Sequence, residues 1–200
     1  ALWTTERSHD GAITRYLDLE LERRTAPLDD APNEAASAAL VSAALAAPER
    51  AFGLDDTHRA EWVARVRSLA VWRPELGVPD LRGDGWRRFV EHAALGATSF
   101  SDLRRVNLSH VLAGLCGYDV LTQLNELAPE RVVVPSGSAI RLHYDPPDSP
   151  VLAVRIQEMF GARETPRVDA GRRPVLLHLL APNYRPQQVT TDLASFWTST

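Results

Sequence analysis

Residues 131–144 have the sequence RVVVPSGSAIRLHY, two short apolar segments on either side of Pro135-Ser-Gly-Ser138. Two short apolar segments that flank a glycine-containing loop are typical of a β-hairpin. The residues before this stretch have apolar side chains at helical spacing, and the pattern changes here. The sequence therefore predicts an α+β fold, with a helical bundle over residues 29–130 and a small α+β unit over residues 131–200.

The region 29–130 is predicted to form five short amphipathic helices, because apolar residues recur there every three or four positions. The predicted starts of the first, second, fourth and fifth helices are Asn33, Asp56 or Thr57, Ser99 and Asp119. The predicted ends lie before Pro48 and Pro74, and at Gly96, Gly117 and Pro129. The buried faces of the last four are predicted to be Trp62, Val66, Leu69 and Ala70; Trp86, Phe89, Val90 and Ala93; Leu108, Val111, Leu112 and Leu115; and Val120, Leu121, Leu124 and Leu127. At Ser99, an Asp three residues later predicts a capping box.

Residues 1–28 are predicted to be strands. A short strand at Leu2-Trp3 is followed by a turn at His9-Asp10-Gly11 and a strand from Ala12 to Arg23. Within the second strand, leucines alternate with acidic residues over 17–22, as in a half-buried strand. Since an isolated hairpin is barely stable in water, we expect these strands to complete a β-domain that begins outside this sequence.

Beyond Tyr144, the turn Asp145-Pro-Pro-Asp-Ser-Pro150 is predicted to lead into a helix that ends at Gly161. The apolar face of that helix is predicted to be Leu152, Ile156, Met159 and Phe160. A continuous apolar segment from Pro174 to Leu180 predicts a strand. Thr190 is predicted to cap a final helix that carries Leu193, Phe196 and Trp197.

Composition excludes several chemistries. All 22 basic residues are arginines, so the chain has no phosphate-loop lysine and no Schiff-base lysine. The single cysteine, Cys116, excludes an internal disulfide framework and a multi-cysteine zinc site. No segment has the roughly 18 to 20 consecutive apolar residues that a membrane-spanning helix needs. We expect a cytoplasmic protein with no membrane partner.

No motif indicates catalysis. The Pro135-Ser-Gly-Ser138 stretch lies between two predicted strands, whereas a nucleophile elbow precedes a helix, so a hairpin turn is the favoured interpretation. The six histidines are scattered without the spacing of a zinc-peptidase helix, and Cys116 lies near an apolar face. We therefore predict no catalytic residue and no metal site. The tryptophans fall mainly on apolar stripes, which favours core positions over base-stacking platforms.

One cluster has a nucleic-acid interpretation. The net charge is −4, yet residues 131–200 carry 8 arginines against 6 acidic residues and are the only net positive third. The candidate nucleic-acid-binding residues are Arg163, Arg167, Arg172, Arg173, Tyr184 and Arg185. Arginine side chains suit phosphate oxygens, and a neighbouring aromatic ring can stack an unpaired base. The alternative is a solvated surface with salt bridges to Glu164 and Asp169.

The last third also carries a family resemblance. The segments NELAPERVVVPSGSAIRLHYD, PVLAVRIQEMFGARETPRV, GRRPVLLHLLAP and RPQQVTTDLASFW, within residues 125–197, resemble the C-terminal region of HrpB-type bacterial ATP-dependent RNA helicases of the DEAH/RHA group. The sequence departs from the family pattern at Asn183-Tyr184, where Ala-Gly is expected, and at His143, where an acidic or amide residue is expected. The resemblance implies that residues 1–28 are the closing strands of an OB-like β-domain.

The resemblance implies a parent protein with two RecA-like motor domains that bind ATP and Mg²⁺. The motor motifs are absent from this sequence, so no catalytic residue carries over and we expect no cofactor in this chain. Its implied partners are RNA and the motor domains of the same chain. Two hypotheses follow: an accessory region that engages RNA or docks on the motor, and a protein-interaction module that recruits the helicase to a partner. A stand-alone enzyme with a site assembled by the fold is a third, which no motif supports.

Overall fold

The three N-terminal strands form one antiparallel sheet in the computed structural model, which describes residues 3–8, 11–16, 19–25, 34–145 and 149–199. They are β1 (Trp3–Ser8), β2 (Gly11–Tyr16) and β3 (Leu19–Thr25), in the order β1-β2-β3. The predicted single strand from Ala12 to Arg23 is therefore wrong, because the chain reverses within it and Thr14 pairs with Glu22. Alternation of apolar and polar residues with a period of two does not show where the chain reverses its direction. The predicted turn at His9-Asp10 and the side chains of this sheet lie outside the described residues.

Seven helices occupy residues 34–127, where five were predicted. They are α1 (Glu34–Ala46), α2 (Pro48–Phe52), α3 (Thr57–Trp72), α4 (Gly83–Ala93), α5 (Phe100–Arg105), α6 (Leu108–Cys116) and α7 (Asp119–Leu127). Pro48 ends α1 as predicted and also opens α2, since the first position of a helix needs no backbone N–H donor. The predicted cap at Asn33 lies outside the described residues.

The predicted fourth helix is in fact two helices. Between α5 and α6 the side chain of Asn107 accepts hydrogen bonds from the backbone N–H groups of Ser109 (3.0 Å) and His110 (3.2 Å). A short Asn side chain competes with backbone hydrogen bonding in this way and starts a new helix. The other predicted cap in this part, Asp119, is also wrong, because Asp119 is the first residue of α7.

Two predicted caps are confirmed. Asp56 accepts from the backbone N–H groups of His58 (2.8 Å) and Arg59 (3.1 Å) at the start of α3. At the start of α5, the Ser99 hydroxyl accepts from the Asp102 N–H (3.2 Å). The Asp102 carboxylate in turn accepts from the Ser99 hydroxyl (2.8 Å), and this hydrogen bond lowers the pKa of Asp102 below its ordinary value. These local hydrogen bonds can be predicted from the sequence because each joins residues no more than three positions apart.

The bundle core includes the predicted face of α4 and part of that of α3, where Val66 and Leu69 are buried while Trp62 and Ala70 are half-buried. All four predicted residues of α4 are buried, namely Trp86, Phe89, Val90 and Ala93. The Trp86 and Phe89 rings stack with centroids 5.5 Å apart, and Phe52 of α2 meets the edge of Trp86 at 5.1 Å. Aromatic pairs of this geometry add to the free energy gained by burial. The predicted core role of the tryptophans is confirmed for Trp72 and Trp86.

The hairpin that opens the C-terminal unit is confirmed. It consists of β4 (Arg131–Val133) and β5 (Ala139–Arg141), which pair in antiparallel register. In the loop, Gly137 has a φ of +89° and donates its N–H to the Val134 carbonyl at 2.8 Å. A glycine is favoured at that φ because it has no Cβ. The Ser136 and Ser138 hydroxyls bond to each other at 3.1 Å, so the loop is the turn that the sequence predicts.

The predicted helix after Pro150 is wrong, since residues there form β6 (Val151–Arg155) and a 3₁₀ turn (Ile156–Met159). β6 runs parallel to β9 (Leu176–Leu180), and β10 (Pro186–Thr190), which was not predicted, pairs with the other side of β9. Leu152 and Val154 are buried while their neighbours are not, which is the alternation of a strand. The helical spacing of Leu152, Ile156 and Met159 was coincidental. A two-stranded hairpin, β7 (Arg167–Val168) with β8 (Arg173–Pro174), precedes β9.

The last helix is α8 (Leu193–Ser199). The predicted cap at Thr190 is wrong, because Thr190 belongs to β10, and Asp192 caps the helix instead. The Asp192 carboxylate accepts from the Ser195 N–H at 3.0 Å. Trp197 of α8 donates its indole N–H to the Ala162 carbonyl at 3.0 Å, which joins the helix to the segment after the 3₁₀ turn.

Several buried contacts hold the C-terminal unit on the bundle. Within the bundle, Arg65 of α3 donates to the Ala128 carbonyl at 2.8 Å. From the C-terminal unit, the Tyr144 hydroxyl donates to the Pro129 carbonyl at 2.6 Å, and the Asp169 N–H donates to the Leu127 carbonyl at 2.8 Å. Burial raises the pKa of Tyr144 and lowers that of Arg65. The Trp72 and Tyr144 rings lie 5.9 Å apart. The C-terminal unit is therefore fixed on the C-terminal half of α3 and the end of α7.

None of the helices in the described part of the chain is both long and apolar enough to cross a membrane.

Candidate nucleic-acid interface

The structure places five of the six candidate residues in two groups at opposite ends of β9. Arg167, Arg172 and Arg173 lie in the β7–β8 hairpin, which leads into the start of β9. Tyr184 and Arg185 lie in the turn that follows its end. A five-residue strand spans about 13 Å, so β9 separates the two groups along its length. Arg163 is exposed in the segment before β7.

The hairpin of the first group also holds a buried carboxylate, that of Asp169, whose side chain is only 3% exposed. Arg73, from the end of α3, places its Nε 2.5 Å from one carboxylate oxygen, and the Nε of Arg173 lies 3.5 Å from the other. The Arg173 guanidinium also lies over the ring of Trp72, 5.1 Å from its centroid. We call Arg73, Asp169 and Arg173 the Asp169 cluster. A salt bridge to Asp169 was part of the alternative interpretation, a solvated surface, but the Asp169 carboxylate is buried. Its contacts make Arg173 part of the junction with the bundle.

Arg167 also makes intramolecular contacts. Its guanidinium donates to the carbonyl oxygens of Gly171 (2.5 Å) and Arg172 (3.1 Å), across the tip of its own hairpin. These bonds support a loop in which Asp169 and Ala170 have φ values of +55° and +52°, a conformation that costs free energy for residues other than glycine. Of the three arginines in this hairpin, Arg172 alone has an exposed side chain without a hydrogen bond or ion pair among the described residues.

The second group is exposed. Tyr184 is 66% exposed and adopts a φ of +62°, and its N–H donates to the Ala181 carbonyl at 2.9 Å. The guanidinium of Arg155 lies over the Tyr184 ring, 5.6 Å from the centroid. Arg155 is held in turn by Glu158, at 2.8 Å from Nε and 2.7 Å from the nearer terminal nitrogen. This hydrogen bond raises the pKa of Arg155 above its ordinary value. Arg155, Glu158, Tyr184 and Arg185 together are the Tyr184 site.

Arg155 was not among the residues selected from the sequence. It reaches Tyr184 because β6 pairs with β9 and places Arg155 opposite Leu180, beside the turn that carries Tyr184. The prediction of a helix over 151–160 removed this pairing from consideration. The alternation of buried Leu152 and Val154 was the pattern that could have revealed it.

The Tyr184 site has the chemistry of a stacking platform. An arginine over one face of an aromatic ring keeps the ring in position, while the exposed remainder of the ring is available to another planar group. Arg185 has an exposed side chain next to it, and its backbone N–H donates to Asn183 at 3.2 Å. An aromatic ring beside arginines can bind an unpaired base and the adjoining phosphate.

A second concave surface lies on the bundle side of the molecule. It is a cleft of about 740 Å³ between α3, the loop before α4 and the residues after β5. His143 Nδ1 lies 2.6 Å from Glu61 Oε1 at this cleft, and Arg67 donates to the Leu81 carbonyl at 3.0 Å. We call this cavity the bundle cleft. Its volume falls within the range of about 300 to 1,000 Å³ that ligand sites occupy.

The described residues offer little support for catalysis. Cys116 is half-buried with its sulfur 3.7 Å from the Gly77 carbonyl, and burial raises the pKa of the thiol, which is opposite to the shift that activates a nucleophile. Within residues 34–145 and 149–198, no three His, Cys, Asp or Glu side chains come close enough together to hold a metal ion. A phosphate loop of the Walker type needs a lysine, and this sequence contains none.

Comparison with known proteins places the chain in a family. A family model described as the ATP-dependent helicase C-terminal region, HrpB_C, matches residues 89–200. The ATP-dependent RNA helicase HrpB of Escherichia coli K12 is 35% identical to this chain over 137 residues, which is 66% of this chain and 17% of that protein.

Two solved structures resemble the fold. The crystal structure of the E. coli DExH-box NTPase HrpB has a TM-score of 0.65 at 25% identity, and that of the Escherichia coli DEAH/RHA helicase HrpB has a TM-score of 0.64 at 26% identity. Both matches cover 98% of this chain, and they cover 25% and 26% of the two solved chains. The α+β fold is thereby confirmed, and the chain spans only a fraction of the length of the proteins it matches. It belongs to the HrpB family of ATP-dependent helicases and corresponds to their C-terminal region.

Proposed function

We propose that this chain is an accessory, non-motor region of an ATP-dependent RNA helicase, and that it helps to engage RNA through the Tyr184 site. The observation that carries the proposal is the exposed ring of Tyr184 with Arg155 over it and Arg185 next to it in sequence. The family supports the proposal, since the similar E. coli protein is an RNA helicase by name. The net positive charge of residues 131–200 supports it as well.

The proposed ligand is a single-stranded segment of RNA. Stacking on an aromatic side chain needs an unpaired base, because the faces of paired bases are already covered by their neighbours. One stacked base contributes about 1 to 3 kcal/mol, and an arginine beside it can hold the adjoining phosphate. With one ring and one uncommitted arginine, the Tyr184 site suits a short contact that supplements a larger RNA-binding cleft elsewhere in the protein.

Under this proposal the motor domains of the same protein bind ATP and Mg²⁺ and are the partner of this region, in the cytoplasm. The 200-residue chain by itself should then show no ATPase activity. The check is phosphate release by the purified chain in the presence of ATP and Mg²⁺. Turnover that a substitution in this chain abolishes would contradict the assignment as a non-motor region.

The proposal is tested by fluorescence anisotropy of a labelled single-stranded RNA at about 50 mM and about 200 mM salt. Each phosphate contact to a single strand contributes a slope of about −0.7 in log affinity against log salt, so one or two contacts lose about 3- to 7-fold between these conditions. Tyr184→Ala should weaken binding at both salt concentrations by a similar factor, because stacking depends little on salt. If Tyr184→Ala binds RNA as well as the unaltered chain, the site is wrong.

A second candidate function is a protein-interaction module that recruits the helicase to a partner. The overall charge of −4 and the carboxylates that line the bundle cleft favour it. The anisotropy experiment separates the two functions, since a protein-interaction module would leave the RNA unbound at about 50 mM salt.

A further inference from the structure

Another cavity of the helical bundle is lined by basic and aromatic side chains. It has a volume of about 350 Å³ and lies between the first two turns of α3 and the junction of α5 with α6. Its charged, titratable and aromatic lining residues are His58, Arg59, Trp62 and Arg105, and none of the described residues that line it is acidic. We call this cavity the Trp62 pocket. Its volume is at the lower end of the range that ligand sites occupy, so it suits a small ligand.

Arg59 brings a positive charge to this pocket that no ion pair among the described residues neutralises. Its Nε donates to the Phe52 carbonyl at 2.6 Å, and a terminal nitrogen donates to the Val106 carbonyl at 3.3 Å, so two neutral groups fix the guanidinium. The side chain is half-buried, and burial lowers the pKa of Arg59 more than the nearby charge of Asp56 raises it. Because water hydrates a half-buried charge poorly, this guanidinium gains more from a bound anion than an exposed one would.

Arg105 presents a second guanidinium that neutral groups hold in place. It donates from Nε to the Ser101 carbonyl at 3.2 Å and from a terminal nitrogen to the Ser101 hydroxyl at 2.7 Å. Asp102 is near enough for its charge to act on Arg105, but its carboxylate accepts from Ser99 and Thr98 at the start of α5 and does not line the pocket. In both arginines of the pocket the other terminal nitrogen donates to no described residue, so each can donate to an anion.

Trp62 adds the flat surface of an indole ring. The ring packs against Phe89 of the bundle core, with centroids 6.1 Å apart, and the half-buried side chain also lines the pocket. Part of the indole is thus open to a planar group of a ligand. The start of α6 contributes no free backbone donor at its cap, because Asn107 already accepts from the N–H groups of Ser109 and His110. The side chains, and not the helix terminus, determine what the pocket can bind.

We propose that the Trp62 pocket binds one nucleotide, with its phosphate at Arg59 and Arg105 and its base against Trp62. Two fixed guanidinium groups without carboxylate partners suit phosphate oxygens, and the adjoining indole suits a base. A free nucleotide and a unit of single-stranded RNA offer the same chemistry. Along α3 the pocket lies about 20 Å from Trp72, at 1.5 Å per residue, and Trp72 is where the C-terminal unit packs. The nucleotide site is therefore separate from the Tyr184 site and goes beyond the function proposed above.

The test uses the 200-residue chain with adenosine monophosphate, and with adenosine and ribose phosphate as probes that lack either the phosphate or the base. Binding is followed by NMR through the indole N–H resonance of Trp62, which Trp62→Phe identifies among the five tryptophans. The nucleotide should shift this resonance, and each partial probe should bind at least about fivefold more weakly. A single-stranded RNA that shifts the resonance where the free nucleotide does not identifies an RNA strand as the source, and the reverse identifies a free nucleotide.

Arg105→Gln, at an exposed position, should weaken binding of the nucleotide about tenfold, because a hydrogen bond to a charged group is worth about that factor. Arg59→Gln should weaken it at least as much, and the exposed variant keeps the test valid if Arg59→Gln unfolds the chain. The matched control is Arg104→Gln. This neighbouring arginine of α5 is also exposed but does not line the pocket, so the same loss of charge should change the affinity less than about twofold.

Equal binding of either partial probe and the nucleotide, or equal losses in Arg104→Gln and Arg105→Gln, overturns the proposal. So does a Gly-Gly-Asp-Gly-Gly peptide that binds the pocket more tightly than the nucleotide, since the site would then suit an acidic protein segment. Absence of a shift with both the nucleotide and the RNA overturns it as well. Tyr184→Ala should leave binding of the nucleotide unchanged, so failure at the Tyr184 site is distinguishable from failure at this pocket.

Discussion

The two ends of strand β9 carry similar residues and have different roles. At its start, Arg173 and Arg73 converge on the buried carboxylate of Asp169, and the contact joins the C-terminal unit to the helical bundle. At its end, Arg155 and Tyr184 form a ring and guanidinium pair with the ring largely exposed. The difference comes from the surroundings of each arginine: a buried carboxylate pairs with Arg173, whereas the side chain of Arg185 is exposed and forms no ion pair among the described residues. Proximity in sequence alone does not define a binding surface.

The largest expected effect is on stability at the Asp169 cluster. Asp169→Asn keeps a side chain that tolerates the positive φ of +55° and removes the charge between two arginines. Removing one partner of a buried ion pair costs about 3 to 5 kcal/mol, because the remaining charge stays buried. Urea unfolding should therefore show a loss of about 3 kcal/mol in the free energy of unfolding. The control is Glu164→Gln, at an exposed position in the neighbouring segment, and equal stability of the two variants would contradict a structural role for this end of β9.

The next effect is on RNA affinity at the Tyr184 site. Tyr184→Gly removes the ring and suits the φ of +62°, so RNA affinity should fall by about 1 to 3 kcal/mol, the contribution of one stacked base. The free energy of unfolding should not decrease, because glycine adopts a positive φ without steric cost. RNA anisotropy and urea unfolding measure the two quantities. Tyr118→Ala, which removes an equally exposed tyrosine from the bundle, should change neither by much. Loss of stability in Tyr184→Gly would mean that Tyr184 is held for structural reasons.

A smaller effect, of opposite sign, is expected at Glu158. This carboxylate pairs with Arg155, whose guanidinium lies over the Tyr184 ring, and should repel an approaching phosphate. Glu158→Gln keeps a hydrogen-bond acceptor for Arg155 and removes the charge, so RNA affinity should rise about two- to threefold at about 50 mM salt, with less gain at higher salt. The measurement is anisotropy across a salt series. A decrease in affinity would show that the charge of Glu158 is needed to position Arg155.

The fold was predictable from the sequence where each element is defined by local contacts. The face of α4, and Val66 and Leu69 on α3, follow from helical spacing, and the caps at Asp56 and Ser99 follow from residues within three positions. The hairpin of β4 and β5 follows from its glycine-containing loop. The break at Asn107 was missed because the apolar spacing of α6 gives no indication of where the preceding helix ends.

The candidate site was predictable only in part, because it depends on pairing between distant segments. Tyr184 and Arg185 were identified from residue type. Arg155 was not, because its place beside Tyr184 requires β6 to pair with β9 across a connection of 20 residues between Arg155 and Leu176. In the same way, Arg173 could be assigned to the buried junction only once Arg73 of α3 was seen at Asp169.

The most direct test of the division between the two ends of β9 compares Arg185→Glu with Arg172→Glu. Both positions are exposed, so the two variants carry the same change in charge without disturbing the Asp169 cluster. At about 150 mM salt the Debye length is about 8 Å, shorter than the roughly 13 Å that β9 puts between the two ends. Anisotropy of a labelled single-stranded RNA should therefore show that Arg185→Glu lowers RNA affinity about tenfold, because one charge-assisted hydrogen bond is worth about that factor. Arg172→Glu should lower it less than about twofold. Equal losses, or the larger loss at Arg172, would show that the RNA lies at the β7–β8 hairpin instead.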